Sequence, residues 1–343
     1  MIARSPWSGL PLLFLAACSQ PSVSTARRQH PAIISLNPCS DAVLAEVADP
    51  GQILALSHYS RDPAASSMDV ARARQFRAVS GSVEEILALR PDIVISDDFL
   101  PPSTAGALQA LAIPVERLPI ANSIDASKAQ VMRIAAIAGH PERGLALVAR
   151  IDAALAQAAP PPGAAPIAAV VWQSGGIVPG NASLIGDLLR RTGFRSLSAA
   201  RGLGQADVLP LEAMLADPPR VILAAGNVLA SEDRLLTHPA LAALTGTRRQ
   251  RFDPALLWCG GPTIIRAAAR LGEIREAVWR GRVGPSTSSG RAGLGLRPKQ
   301  RLGLKQRPGL KQRPGLKQEP GLKHKTSLML SLSKHPRNLG PTA

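Results

Sequence analysis

Short apolar runs alternate with amphipathic stretches along the first half of the chain. The runs span about five residues and stop at Asn, Ser or Asp, as buried strands do, whereas the stretches between them place apolar side chains three and four positions apart, as helices do. Strands that alternate with helices of about ten residues form a parallel sheet with helices on both faces, so this half predicts an α/β lobe. The predicted strands are Ala32–Leu36, Ile53–Ser57, Asp92–Ser96 and Pro114–Leu118.

The same alternation returns after a long helical stretch. Pro141 and Glu142 open a run of helix-forming residues that reaches Ala159 and ends at Pro160. Proline followed by an acid is a helix start signal, and about 18 residues at 1.5 Å each give a rod of about 27 Å, long enough to cross between two lobes. A second α/β lobe is predicted beyond it, with strands Ile167–Trp172 and Arg220–Gly226 and helices over 184–194, 209–215 and 263–280.

Positive charge is concentrated at the C-terminal end. Of the net charge of +16, residues 285–343 hold +12, from 13 Lys and Arg and one acid, which leaves +4 for the rest. A mildly basic body gives no case for nucleic-acid binding. A six-residue unit containing Gly, and Pro in all but its last copy, repeats from Gly303 to Thr326 without an apolar face, so we predict a disordered tail. This tail could bind anionic surfaces or have no role.

The N-terminus has the features of an export signal. A short apolar stretch from Leu10 to Ala17 follows Arg4 and is far below the roughly 20 residues needed to span a bilayer. The sequence LAAC that ends at Cys18 resembles a bacterial lipobox, in which Cys18 would receive a diacylglycerol. An ordinary signal peptide containing a cysteine is the alternative. We predict a periplasmic location with a lipid anchor to the membrane at Cys18.

These observations predict two lobes and three accessory segments. A length of 343 residues and an apolar content of 45% suffice for two domains with sizeable cores. The predicted organisation is a lipoprotein signal peptide over 1–18, a tether over 19–31, an N-terminal α/β lobe over 32–140, a connecting helix over 141–159, a C-terminal α/β lobe over 160–284 and a disordered basic tail over 285–343.

Three sequence blocks resemble periplasmic binding proteins of the cobalamin and iron–siderophore class of ABC transporters. The segment EEILALRPDIVIS over 84–96 is similar to the family's E-x-I-x-x-L-x-P-D-L-V-I signature, residues 33–63 resemble its opening block, and residues 211–226 resemble an echo of the signature. The resemblance covers about residues 32–281. It implies two parallel-sheet lobes joined by one rigid helix, with a ligand cleft between them.

The function follows from that resemblance rather than from the α/β pattern. It implies a binding protein, not an enzyme, that captures a corrinoid or an iron chelate and delivers it to an ABC permease with its ATPase subunits. Heme is an alternative ligand of the same class, because similar proteins carry cobalamin, cobinamide, heme or ferric siderophores. No resident cofactor is implied.

Two acids of this sequence match the permease-docking positions of such proteins. In the family one acid on each lobe docks into arginine pockets of the permease, and the matching residues are Glu84 and Glu212. Each lies in the first turn of a predicted helix, where the dipole stabilises an exposed carboxylate. The alternative is that each only complements its helix dipole, and Glu85 is a neighbouring competitor of Glu84.

The ligand cleft is predicted at the carboxyl ends of the strands, where open α/β sheets bind ligands. Flat aromatic rings suit a corrin or porphyrin face, and a guanidinium suits a carboxylate or phosphate on the ligand. The tryptophans could instead pack structurally at strand ends. The predicted ligand-binding residues are Pro38, Tyr59, Arg61, Asp97, Phe99, Trp172 and Trp258.

The sequence leaves two questions open, one about ligation of heme iron and one about the pairing of two cysteines. His58 or Tyr59 could be an axial ligand to heme iron, or only a loop pair. Cys39 and Cys259 lie in the first and last predicted cleft loops, within blocks that are similar to those of one branch of the family. They could form a disulfide between the lobes or remain two thiols. No other residue pattern has the spacing of a metal site, so none is predicted.

Two other function classes compete with the binding protein. A periplasmic enzyme would need a catalytic motif, and neither G-x-S-x-G, a phosphate-binding loop nor HExxH occurs. A surface-adhesion protein would act through the basic tail, and deletion of residues 285–343 would separate it from a binding module.

Overall fold

The computed structural model describes residues 29–226 and 238–281. The predicted signal peptide with Cys18, most of the predicted tether and the basic tail lie outside the described residues. The strands are β1 (Ile33–Ser35), β2 (Ile53–Ser57), β3 (Ala78–Val79), β4 (Ile93–Asp97), β5 (Val115–Leu118), β6 (Ile167–Gln173), β7 (Ile177–Val178), β8 (Phe194–Ser196), β9 (Asp207–Val208), β10 (Val221–Ala225) and β11 (Arg248–Arg251). The helices are α1 (Pro38–Val47), α2 (Val70–Ala73), α3 (Val83–Leu89), α4 (Pro102–Ala110), α5 (Ile124–Ala138), α6 (Pro141–Ala158), α7 (Leu184–Arg191), α8 (Leu197–Ala200), α9 (Leu211–Ala216), α10 (Pro239–Ala242) and α11 (Thr263–Arg280).

The first lobe is built on a five-stranded sheet of order β3-β2-β1-β4-β5, whose neighbouring strands pair in parallel. Successive residues of a strand point to opposite faces, so each strand supplies two cores. Ile33 and Ile95 belong to a core that extends into the second lobe, whereas Ile34 and Val94 pack in a separate cluster with Ile86 of α3.

The second lobe repeats this plan on a four-stranded parallel sheet of order β11-β10-β6-β8. Val171 and Leu223 face the core shared with the first lobe. Val170 and Ile222 face outward and pack with Met214 of α9. A small antiparallel pair, β7 with β9, lies beside this outer cluster.

Helix α6 connects the two lobes and packs against α1 and α5 on one side and α11 on the other. Its buried residues include Leu147, Ile151 and Leu155, a spacing of four that makes one apolar stripe. Gly144 allows the close approach of α5, because a Cβ there would lie 2.6 Å from the Cβ of Ala135. The predicted fold of two parallel-sheet lobes joined by one long helix is confirmed.

The structure differs from the predicted elements in detail. Helix α1 begins at Pro38 and is capped by Asn37, whose side chain accepts hydrogen bonds from the Cys39 and Ser40 amides. Strand β11 was not predicted, because its sequence RRQR lies at a sheet edge and has no apolar alternation. Among the helices described, none combines the length and the apolarity that a membrane span requires.

Candidate functional site

The carboxyl ends of the first-lobe strands present an exposed aromatic pair. Strand β2 runs directly into a 3-10 turn, His58–Arg61, which Ser57 caps by accepting a hydrogen bond from the Tyr59 amide at 3.3 Å. The Tyr59 side chain is 47% exposed, and its ring lies 4.0 Å from the His58 ring, centroid to centroid. His58 Nδ1 lies 3.2 Å from the Val79 carbonyl oxygen, so the pair has a fixed position at this edge.

A buried carboxyl group supports this turn from below. Asp41 of α1 is fully buried, and its Oδ2 accepts hydrogen bonds from the Ser57 amide at 2.9 Å and from the Ser60 hydroxyl at 2.6 Å. Burial removes water from the charged form and raises the pKa of Asp41 to about 8, although the bonds to the serines oppose the shift. The sequence did not predict that Asp41 supports this turn, because an acid near the start of a helix is usually explained by helix capping.

A second support holds the loop that follows β4. Asn37 accepts hydrogen bonds from the Cys39 and Ser40 amides and donates one from its Nδ2 to Asp97. Asp97 also accepts from the Phe99 amide at 2.9 Å. The predicted ligand residue Asp97 is therefore engaged in holding the loop. The Phe99 side chain beside it is 68% exposed.

The second lobe contributes an exposed aromatic ring to the same edge through a disulfide. Cys39 and Cys259 are bonded, with their Cα atoms 5.0 Å apart across 220 residues of sequence. The bond places the start of α1, where Pro38 is half-buried, beside the loop that carries Trp258. The Trp258 side chain is 48% exposed, and its carbonyl oxygen lies 3.4 Å from Cys39 Sγ.

Polar contacts join the two lobes beneath this edge. The Gly261 amide donates to the Ser127 hydroxyl of α5 at 2.8 Å. Asp187 of α7, which is buried, accepts from the Ile124 amide at 2.9 Å. Arg266 of α11 donates to the Ser67 carbonyl oxygen. Together with the disulfide, these contacts hold the two lobes in a fixed relative position below this edge.

The prediction that Trp172 lines the ligand cleft is wrong. It is 0% exposed and packs in the outer core of the second lobe, with Met214 and Ile222. Its indole Nε1 is buried and has no hydrogen-bond partner among the described residues. The structural alternative, packing near a strand end, therefore holds for Trp172, because its position on β6 points it away from the shared core.

Arg61 lies at the predicted edge, but its guanidinium donates to the Phe76 carbonyl oxygen at 2.5 Å. The residue is exposed, so its remaining donors stay accessible. A groove between α4 and β5 lies elsewhere, on the outer edge of the first lobe, and contains none of the predicted site residues.

Glu84 and Glu212 occupy equivalent positions in the two lobes. Each is the second residue of its helix, and each lies nine positions before the strand that follows, β4 or β10. Both are exposed, and neither has an ion-pair or hydrogen-bond partner among the described residues. Glu85, the competitor, is engaged, because its carboxylate accepts from the amide and the hydroxyl of Ser80 at 2.8 and 2.6 Å. These bonds lower the pKa of Glu85.

The crossover topology places both acids near the edge that carries the exposed aromatic side chains. A helix that connects parallel strands runs antiparallel to them, so its N-terminus lies near their carboxyl ends. The first turns of α3 and α9 therefore lie toward the edge that carries Tyr59, Phe99 and Trp258.

Comparison with known proteins gives a consistent result. A sequence profile described as "Periplasmic binding protein" matches residues 33–252. No curated protein sequence matches the chain.

Solved structures with the same fold include three periplasmic proteins. The heme-binding protein RhuT from Roseiflexus sp. RS-1, in apo form, is 20% identical with a TM-score of 0.56, covering 72% of this chain and 97% of its own. The vitamin B12 binding protein BtuF of Vibrio cholerae is 16% identical with a TM-score of 0.56, covering 73% and 98%. The heme-binding protein HutB of Vibrio cholerae is 18% identical with a TM-score of 0.56, covering 71% and 98%. At such identities the likeness concerns the fold.

Proposed function

Because this chain belongs to the periplasmic binding protein family, we propose that it is the substrate-binding lipoprotein of an ABC importer. Members of this family are periplasmic binding proteins that serve transport, so the chain is a binding protein and not an enzyme. Our proposal adds the ligand class, which is a corrinoid or an iron chelate such as heme, and delivery to a membrane permease with its ATPase subunits.

The observation that carries the ligand class is the set of exposed aromatic rings at one edge. Tyr59, Phe99 and Trp258 follow different strands and are each about half exposed or more. Large aromatic side chains at a well-supported edge suit a flat, partly apolar ligand, because such rings stack on planar faces. Pro38 and the free donors of Arg61 complete the predicted site, and Arg61 suits a ligand carboxylate.

Heme is supported as fully as a corrinoid. Two of the similar structures are described as heme-binding and one as vitamin B12 binding. Within this chain, the neighbouring rings of His58 and Tyr59, tilted by 35° to each other, provide an imidazole and a phenol at the proposed ligand edge. Either group is a known type of axial ligand to heme iron.

The binding test is a titration of the full chain, kept in detergent, with heme, cobalamin, cobinamide and a ferric catecholate. We expect one class to bind with a Kd at or below about 1 μM. Trp258→Ala should weaken this binding about tenfold or more, because it removes a ring worth roughly 1.5–3 kcal/mol of burial. Trp172→Phe is the matched control and should leave the Kd unchanged.

Two results would contradict this proposal. A folded sample that binds none of the four probes would exclude the ligand class. If the Trp258→Ala variant and the unmodified protein bind with equal affinity, the ligand does not bind at this edge. If heme binds, a change of its absorption spectrum in Tyr59→Phe or His58→Ala identifies the axial ligand.

Permease docking by Glu84 and Glu212 is supported by their equivalent positions and exposure. In the double variant Glu84→Gln/Glu212→Gln, we expect ligand affinity to be unchanged and ligand-driven ATPase activity of the importer to be lost, because two charge-assisted bonds are removed. Glu85→Gln is the control and should retain the activity. If the double variant retains the activity, the acids do not dock and each only stabilises the N-terminus of its own helix.

Membrane anchoring at Cys18 rests on the LAAC sequence and the short apolar stretch before it. Cys18→Ser should release the protein from the membrane fraction, because it removes the acyl chains that hold it. A membrane-bound Cys18→Ser variant would show an anchor elsewhere.

A further inference from the structure

Two histidines and an acid meet at the edge of the first lobe opposite the ligand. His30 precedes β1, Asp49 lies between the end of α1 and the start of β2, and His140 lies between α5 and α6. One ligating atom of each lies within 4.8 Å of the others. These segments are far apart in sequence, which is why the spacing rules for metal motifs predicted no site here.

The distances suit a small metal ion. His140 Nε2 and Asp49 Oδ2 lie 3.3 Å apart, and the rings of His30 and His140 lie 4.4 Å apart, centroid to centroid. Two ligands of a tetrahedral ion with bonds of 2.0–2.1 Å are separated by about 3.3 Å. A single ion could therefore bond these groups with small side-chain adjustments.

The cluster is held in place by the surrounding side chains. Gln52 donates through its Nε2 to the carbonyl oxygens of Pro31 and Ala138, which turns its Oε1 toward His140 Nε2 at 2.9 Å. His140 is buried. At Gly139 a Cβ would lie 2.4 Å from His30 Nδ1, so the glycine leaves room for that ring.

The carboxylates beside the two histidines also favour the binding of a cation. Arg143 donates to Asp49 Oδ1 at 2.8 Å and lowers the pKa of this carboxyl, and the other carboxylate oxygen, Oδ2, faces His140 Nε2. On the other side of the ring, His140 Nδ1 lies 3.5 Å from Glu142 Oε1. A carboxylate at the second nitrogen of a histidine favours metal binding through the first.

We propose that His30, Asp49 and His140 form a site for one divalent transition-metal ion, with Zn²⁺ as the type ion. Two imidazoles and one carboxylate are a common zinc ligand set. Without metal, a proton on His140 Nε2 bonds to the Gln52 oxygen, so a proton and the ion compete for this nitrogen. The ion would join the entry of β1 to the corner between α5 and α6, independently of the transported ligand.

The test uses the full chain, stripped of metal with a chelator and titrated with Zn²⁺ and with Co²⁺. We expect one ion to bind at this site and to raise the Tm, and we expect His30→Gln to weaken Zn²⁺ binding at least tenfold and to remove the Tm shift. Because ligands must be deprotonated, affinity should fall from pH 7.5 to pH 6. The visible spectrum of bound Co²⁺ should change in His30→Gln.

Control variants separate this site from other histidines. His58→Gln alters the ligand edge, and His324→Gln/His335→Gln removes the histidines of the tail; neither should change the affinity of the His30 site. Should His140→Gln fail to fold, His30→Gln still decides, because His30 is less buried. Equal Zn²⁺ affinity and Tm shift in His30→Gln and the unmodified protein would overturn the proposal. The result does not depend on whether the cleft binds a corrinoid or heme.

Discussion

The buried carboxyl of Asp41 should make the stability of the protein depend on pH. In the folded protein its pKa is about 8, against an ordinary value of 3.8. Folding therefore takes up a proton between these two values, so the stabilisation is complete below the lower pKa and is lost as the pH rises through the higher one. One pH unit in this window corresponds to at most about 1.4 kcal/mol, which gives an upper limit of about 2.7 kcal/mol between pH 5 and pH 7.

Asp41→Asn isolates this contribution, because an amide oxygen can still accept from Ser57 and Ser60 but cannot titrate. Urea unfolding of the full chain at pH 5, 6 and 7, followed by circular dichroism, gives the free energy of unfolding of both proteins. The unmodified protein should lose stability relative to Asp41→Asn as the pH rises. Asp62→Asn, at an exposed position just after the same turn, is the control and should show no such trend. A difference between Asp41→Asn and the unmodified protein that stays constant over these pH values would refute the reasoning.

Three further substitutions test the supports of the site. Cys39→Ser/Cys259→Ser should lower the free energy of unfolding by about 2–5 kcal/mol in denaturant titrations; an unchanged midpoint would show that the bond does not form. Asp187→Ala should cost about 1–3 kcal/mol in the same assay, because the buried Ile124 amide loses its acceptor, and a loss near zero would contradict the lobe contact. Ser82→Ala should cost about 1 kcal/mol through the lost cap of α3, read as a lower Tm.

Much of the fold could be predicted because its strands and long helices carry strong apolar periodicity. β2 and α11 have the predicted bounds, Ile53–Ser57 and Thr263–Arg280. The elements that were missed are short or lie at edges, where two to four residues give too little pattern. Their positions come from pairing with neighbouring strands, which a local reading cannot see.

The site was less predictable, because it depends on which face of an element a side chain occupies. Trp172 and Trp258 are equally suitable by residue type, yet one lies in the outer core and the other is exposed. Asp41 and the pairing of Cys39 with Cys259 depend on contacts between distant segments. The sequence left the cysteine pairing open between a disulfide and two thiols, and it gave no indication of the bonds that Asp41 makes.

If Glu84 and Glu212 dock to a permease as proposed, the position of His30 at the opposite edge limits how the protein can reach that permease. If Cys18 carries the lipid, the stretch from Cys18 to His30 can span at most about 40 Å. A lobe of about 110 residues has a diameter of roughly 33 Å. This reach is only slightly greater than the diameter of the lobe. If both acids face the membrane as proposed, deleting five residues between Cys18 and His30 should therefore abolish delivery of the ligand while leaving ligand binding intact.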